Sequence, residues 1–352
     1  MQKKIIALAI AAAFSAPAFA DVTVYGLVDA AVAHLSADGQ KSDTQAVSGG
    51  LSSSRIGVKS AEDLGNGLKA VINLEYGLDT ETSAGILTAR QQMVGLASDF
   101  GTVATGYLQT TAWDFQNSYD PTSGSTVSPL GNLTKGGGFL IGSVAAANRA
   151  QRALAYISPN MGGVTVAVNY STALAGLGNL TQASTATTGL KTTATLLSVN
   201  YAGGPVAVGG VFAKLTPDSA GASSVKEYAL GGSFDFGVAK IFGTYQSQSP
   251  AVGSSNKAES IGVVVPAGPG AVVASYAKNK IATTTTAKSA KGATIGYLYN
   301  LSATTTAYAA YSKMSQDLGT NAYSVDNNAL SAGTLTAGGS SSMLAIGLRK
   351  KF

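Results

Sequence analysis

The sequence predicts an all-β chain that closes into a 16-stranded antiparallel transmembrane β-barrel, with short turns at one end and long loops at the other. Three observations predict it: an export leader with no second apolar span behind it, segments of about ten residues in which apolar and polar side chains alternate, and connections that alternate between short and long.

The leader is MQKKIIALAIAAAFSAPAFA. Lys3 and Lys4 make a basic start, Ile5 to Phe14 an apolar run, and Ala18-Phe19-Ala20 a small-x-small ending, so residues 1–20 are expected to be a secretory signal peptide cleaved before Asp21. The apolar run is about half of the roughly 20 residues that a membrane-spanning helix needs. Residues 21–352 are expected to form one barrel domain.

Composition narrows the class further. Only 12% of residues are charged, 43 are glycine and none is cysteine, which suits strands and turns and rules out a disulfide framework. A chain that crosses lipid on strands must close, because an open sheet edge would leave backbone groups unsatisfied in hydrocarbon. The formal charge of +5 falls by two once Lys3 and Lys4 leave with the leader. The remainder shows no basic stripe, so no nucleic-acid partner is expected. His34 is the one histidine, and with no thiol and no acidic cluster beside it neither a metal centre nor a cofactor is expected.

The elements follow in order. In VTVYGLVDAAVAHL, Val22, Val24, Val28 and Val32 share one face, and Thr23, Tyr25 and Asp29 share the other. In GLKAVINLEYG, Leu68, Ala70, Ile72, Leu74 and Tyr76 oppose Lys69, Asn73 and Glu75. Charge in mid-strand requires that its face be wet. Short connections fall near 62–67, 98–101, 158–163, 202–205, 234–237, 266–270 and 299–302. Longer polar stretches fall near 35–50, 78–87, 110–146, 174–190, 215–224, 247–257, 280–290 and 314–341. Seven turns and eight loops make fifteen connections and so sixteen strands, enough to leave an aqueous lumen. The closing SSMLAIGLRKKF keeps strict alternation through Leu344, Ile346 and Leu348 to the terminal Phe352.

Several stretches resemble the Gram-negative porin family, in particular its neisserial and β-proteobacterial general porins: DVTVYGLVDA (21–30), SSRIGVKSAEDLGNGLKA (53–70), RQQMVGLASDFGTVATG (90–106), YISPNMGGVTVAVNYS (156–171) and GLRKKF (347–352). The resemblance implies a homotrimeric outer-membrane channel, embedded in outer-membrane lipid, that passes ions and small hydrophilic solutes. It also implies that the third loop, here the longest connection, folds into the lumen and sets acidic residues against a basic wall. The matching wall positions are Arg55, Arg90 and Arg149, with Lys59 and Lys69 on the same polar faces; the loop offers Asp114 and Asp120. Two departures stand out: Gly106-Tyr107 where the family usually has Gly-Arg, and Arg152-Ala153 where it usually has Asn-Ser. The basic excess predicts a modest anion preference. The alternatives are a barrel enzyme, which a lone histidine does not support, and a channel specific for one solute.

Two further expectations rest on alternation alone. In ANRAQRALAYISP, Leu154 and Tyr156 mark the outward face, which sends Arg149 inward and Arg152 outward unless a bulge shifts the phase. Gly26, Ala30, Gly57 and Ala70 are read as small outward or near-outward positions, a smooth wall for subunit packing.

Overall fold

The computed structural model describes residues 21–82, 85–142, 145, 147–174, 192–217, 223–249, 255–282, 288–317, 323–325 and 336–352. The expected signal peptide lies outside them. Strand alternation and turn chemistry produce β1 (Asp21–Ala37), β2 (Asp43–Ser48), β3 (Arg55–Gly65), β4 (Leu68–Leu78), β5 (Ile86–Ser98) and β6 (Gly101–Gln109). Two short helices follow, α1 (Thr111–Tyr119) and α2 (Pro129–Gly136). The chain then continues through β7 (Arg149–Ile157), β8 (Val164–Leu174), β9 (Thr192–Gly203), β10 (Val206–Pro217), β11 (Val225–Asp235) and β12 (Lys240–Ser249). It ends with β13 (Asn256–Ala267), β14 (Gly270–Ile281), β15 (Lys288–Asn300), β16 (Thr305–Gln316) and β17 (Ser340–Lys351).

Each strand pairs antiparallel with its neighbour, and β1 pairs with β17 from Leu27↔Lys351 to Ala37↔Ser341, so the sheet closes. These segments make a closed 16-stranded barrel, because β2 and β3 together form the second stave. The upper half of β1 pairs with β2 and the lower half with β3. Here the structure departs from the sequence reading, which placed residues 35–50 in a loop. Asp43–Ser48 carries on the ladder, and the interruption comes after it, where Gly49 takes a positive φ of 86°.

The turn at EDLGNG is built as its residues dictate. Asn66 and Gly67 both take positive φ, 52° and 76°, the backbone of a two-residue hairpin whose twist matches that of its strands. At the seam, Gly26 and Phe352 exchange backbone hydrogen bonds of 3.0 and 3.1 Å. A Cβ on Gly26 would lie 2.3 Å from the Phe352 ring, so glycine lets the terminal aromatic lie flat on the first strand.

The outer surface carries the apolar rows that alternation predicts. Val22, Val24, Ile72, Leu74, Leu154, Ile261, Ile295 and Ile346 are exposed. Phe100, Tyr201, Phe236 and Phe352 ring the short-turn end, and Tyr170, Tyr228, Tyr276 and Tyr311 ring the loop end. Such paired aromatic girdles flank the hydrocarbon band of a transmembrane barrel.

Candidate pore constriction

The connection between β6 and β7 leaves the wall, crosses the interior and returns. Its neck is tied by Thr110, whose N–H donates to Asn148 O (3.1 Å) and whose hydroxyl donates to Ala147 O. Thr110 also caps α1, accepting from Ala112 N. Ser128 caps α2 by accepting from Gly131 N (2.9 Å), with Pro129 at the first helical position.

What holds this loop inside is apolar burial. Phe115, Tyr119, Leu130, Leu133, Phe139 and Ile141 are fully buried. Their neighbours are inward alanines, Ala153, Ala155, Ala213 and Ala229 around α1 and Ala258, Ala277 and Ala290 around α2. Each such side chain contributes about 1.5–3 kcal/mol by leaving water. The wall is cut to fit. A Cβ on Gly231 would fall 2.7 Å from the Tyr119 ring, one on Gly262 2.7 Å from Pro121, and one on Gly292 3.1 Å from Pro129. On the wall, Glu227 of β11 accepts from the backbone N–H groups of Leu140 (2.6 Å) and Ile141 (3.1 Å) and pins the returning limb.

Lying against β8 to β16, the loop leaves open the lumen beside β3, β4 and β5. There the sequence-predicted basic residues meet. Arg90 Nε contacts Glu75 Oε1 at 2.7 Å and Arg55 Nε contacts Glu75 Oε2 at 3.5 Å, so one carboxylate is shared between two guanidinium groups. Tyr25 donates to Asn73 Oδ1 (2.8 Å) and Glu75 Oε2 (3.0 Å), and Lys59 sits over its ring at 5.7 Å. Lys69 projects from the same face of β4 two pleats nearer the short-turn end, outside this contact group. Trp113, on the open side of α1, lies under both Arg149 (4.7 Å to the ring centroid) and Arg90 (5.6 Å).

Arg149 reaches the interior by a different route from simple alternation. The register between β6 and β7 shifts between Gly106 and Leu108, and Arg152 takes a positive φ of 47°, so a bulge sits at Arg152. Beyond the bulge Ala150, paired with Leu108, continues the inward row. Arg149 is the first residue after the loop, and its guanidinium runs inward over Trp113 while Nε donates to Arg90 O at 2.9 Å. Arg152 is exposed, and alternation from the buried, inward Ala153 sets it on the outer row.

The two loop acids differ. Asp114 is partly buried, accepts from Gln109 Nε2 at 2.7 Å, and is pushed up to about 6 by burial, against the opposing pull of that hydrogen bond and of Arg149. Asp120 is enclosed within the loop, accepting from Thr122 N (2.9 Å), Thr122 Oγ1 (2.7 Å) and Ser128 Oγ (2.7 Å). Its contacts organise the turn between the helices and do not reach the arginines. Gly57 is a correction: it faces inward, with the Tyr25 ring so close that a Cβ would lie 2.5 Å away. The same alternation that sets Arg55 and Lys59 inward carries Gly57 with them. His34 is exposed and pairs with Thr44 Oγ1 (2.8 Å), and among the described residues no cluster suited to a metal ion occurs.

Glu75 and Trp113 are the interior groups that sequence reasoning missed as site residues. Glu75 sat in view on the polar face of β4, and Trp113 carries no periodic signal because it belongs to the loop.

A sequence model described as Gram-negative porin matches residues 7–319. The chain belongs to the Gram-negative porin family. Outer membrane porin protein 32 of Delftia acidovorans is 30% identical over the full length of both chains. Major outer membrane protein P.IB of Neisseria gonorrhoeae is 34% identical over 49% of this chain and 48% of its own. Among solved structures, the anion-selective porin from Comamonas acidovorans superposes with a TM-score of 0.79 at 26% identity, covering 95% of this chain and all of its own. The porin is therefore an outer-membrane diffusion channel.

Proposed function

We propose that this porin passes ions and small hydrophilic solutes with a modest preference for anions, set by Arg55, Arg90 and Arg149. The carrying observation is the imbalance at the constriction: Arg55 and Arg90 share Glu75, Arg149 stands beside them over Trp113, and the loop adds Asp114 while Asp120 is turned into its own hydrogen bonds. The acids and bases stand across a narrow lumen and set up a transverse field that orients dipolar solutes. Similarity to the solved anion-selective porin from Comamonas acidovorans supports the sign. Lys59 and Lys69 extend the basic wall toward the short-turn end, where they attract anions before the narrowing.

The porin works as a homotrimer in this reading. Ala30 and Ala70 keep the outward face near the first strands low, although Gly57 is withdrawn from it and Gly26 is covered by Phe352. Unheated gel migration and crosslinking in native membranes should show a trimer band.

Reversal potential in a planar bilayer under a salt gradient tests the selectivity. A unit charge about 7 Å from a passing ion is worth about 0.6 kcal/mol in water, roughly halved by screening at 0.1 M. Arg149→Ala raises the energy of an anion and lowers that of a cation by this amount, so the anion/cation permeability ratio should fall about threefold. An unchanged reversal potential in Arg149→Ala and Arg90→Ala alike would refute the assignment.

A further inference from the structure

The outer surface between β13 and β16 changes character over two pleats. Ile261, Tyr276, Ile295 and Tyr311 form an exposed row on four successive strands. The next outward positions toward the loop end are Glu259, Lys278 and Ala293, and one pleat further, about 13 Å from the row, stand Lys257, Lys280 and Lys291. Lys257 lies opposite Lys280 and Lys278 lies opposite Lys291 in the sheet register. Like charges directly opposite across a strand pair are destabilising on their own. Only Lys278 has an ion-pair partner among the described residues, Glu259 at 3.0 Å. The four lysines line an open depression of about 590 Å³ in which the acids are Glu259 and Asp317. Asp317 already accepts from Ser289 Oγ. Lys313, next along the surface, lies in the field of Asp38 and is not counted in the patch.

This height is where a lipid headgroup meets the barrel, directly above the aromatic row, and the loop end faces outward from the cell. We propose that the depression binds the phosphate-bearing headgroup of an outer-leaflet lipid, whose acyl chains lie along Ile261, Tyr276, Ile295 and Tyr311. A phosphomonoester carries about −1.5 to −2 charge, enough to offset two facing ammonium groups at once. Lysine suits the role because it offers a compact charge with three rotatable donors. The site is outside the lumen, so it is independent of ion passage.

Native mass spectrometry of the detergent-purified porin tests this with three probes: dioleoyl phosphatidic acid, dioleoyl phosphatidylcholine and inorganic phosphate. The parent should retain phosphatidic acid, and the combined variant Lys257→Gln, Lys280→Gln, Lys291→Gln should bind it about tenfold more weakly or worse. Phosphatidylcholine should bind the parent no better than it binds the variant. Heat-modifiable gel migration and single-channel conductance of the variant should match the parent. If the combined variant does not fold, Lys280→Gln alone should cost about threefold. Equal retention of phosphatidic acid by parent and variant would overturn the proposal, as would equal binding of the zwitterionic lipid. Displacement by equimolar inorganic phosphate would mark a free-anion site and overturn the lipid assignment.

Discussion

Glu227→Ala should loosen the constriction without opening the barrel. The carboxylate accepts from Leu140 N and Ile141 N, and its Oε2 also accepts from Gln248 Nε2 at 3.1 Å, which in turn donates to Gly138 O at 2.9 Å. Truncation leaves two buried N–H groups without an acceptor, at about 1–3 kcal/mol each. The returning limb is therefore destabilised by about 2–6 kcal/mol relative to an undocked arrangement, which multiplies the undocked fraction by roughly 30 to 10⁴. The rest of the loop stays anchored through Tyr119, Leu130 and Leu133, so the expected phenotype is intermittent. Single-channel recordings should show excess current noise and frequent steps to a higher conductance level. Glu227→Gln keeps one acceptor oxygen and should give an intermediate record. If the noise spectrum and mean conductance of Glu227→Ala match those of the parent, the carboxylate does not hold the loop and the reasoning fails.

Arg152→Ala should leave the reversal potential nearly unchanged, in contrast to Arg149→Ala, because Arg152 lies on the outer side of the bulge; equal shifts would place both in the lumen. Lowering pH should strengthen anion preference as Asp114 takes up a proton, with the change centred near pH 6 because burial raises that carboxyl; above that pH the charge is present and opposes the arginines. Asp114→Asn should abolish the step in a reversal-potential titration. Gly231→Leu should displace Tyr119 and alter conductance, with overpacking of about 1–3 kcal/mol. Gly232→Ala, one position along and facing out with its nearest contact at 3.5 Å, should behave as the parent in the same recordings.

Strand number, hairpin polarity and closure were legible because each is a repeated signal, and one misread segment such as Asp43–Ser48 does not change the total. Single positions have no such redundancy. Arg149 shows the limit: alternation counted back from Tyr156 assigns it inward, yet the bulge at Arg152 cancels that count and the inward reach comes from its place at the end of the loop. Gly57 failed in the opposite sense. Its small size suggested a contact surface between subunits, whereas the missing side chain makes room for Tyr25 inside. Asp120 was chosen for its charge and its place in the third loop, but a carboxylate followed by Thr122 and Ser128 finds its acceptor bonds locally.

The lumen has two unlike walls, and that division was written in the inward rows of the strands. On β3, β4 and β5 the inward positions include Lys59, Asn73, Glu75 and Gln91, side chains that need water or one another. From β7 to β16 they include Ala153, Ala155, Ala213, Ala229, Ala258, Ala277 and Ala290, with Gly231, Gly262 and Gly292 among them. Rows of alanine and glycine would be poor linings for a channel, since they neither hydrate well nor select. They make sense as the floor for a loop that brings its own large residues, Phe115, Tyr119, Leu130 and Phe139, from one stretch of chain. A small inward side chain thus marks where the loop lies, and a polar one marks where the water runs. Arg55 and Arg90 stand on the wet wall beside the carboxylate of Glu75, and Arg149 reaches toward them from the start of β7 over Trp113. Glu227, alone among charged residues of the dry wall described here, is instead engaged by two backbone N–H groups.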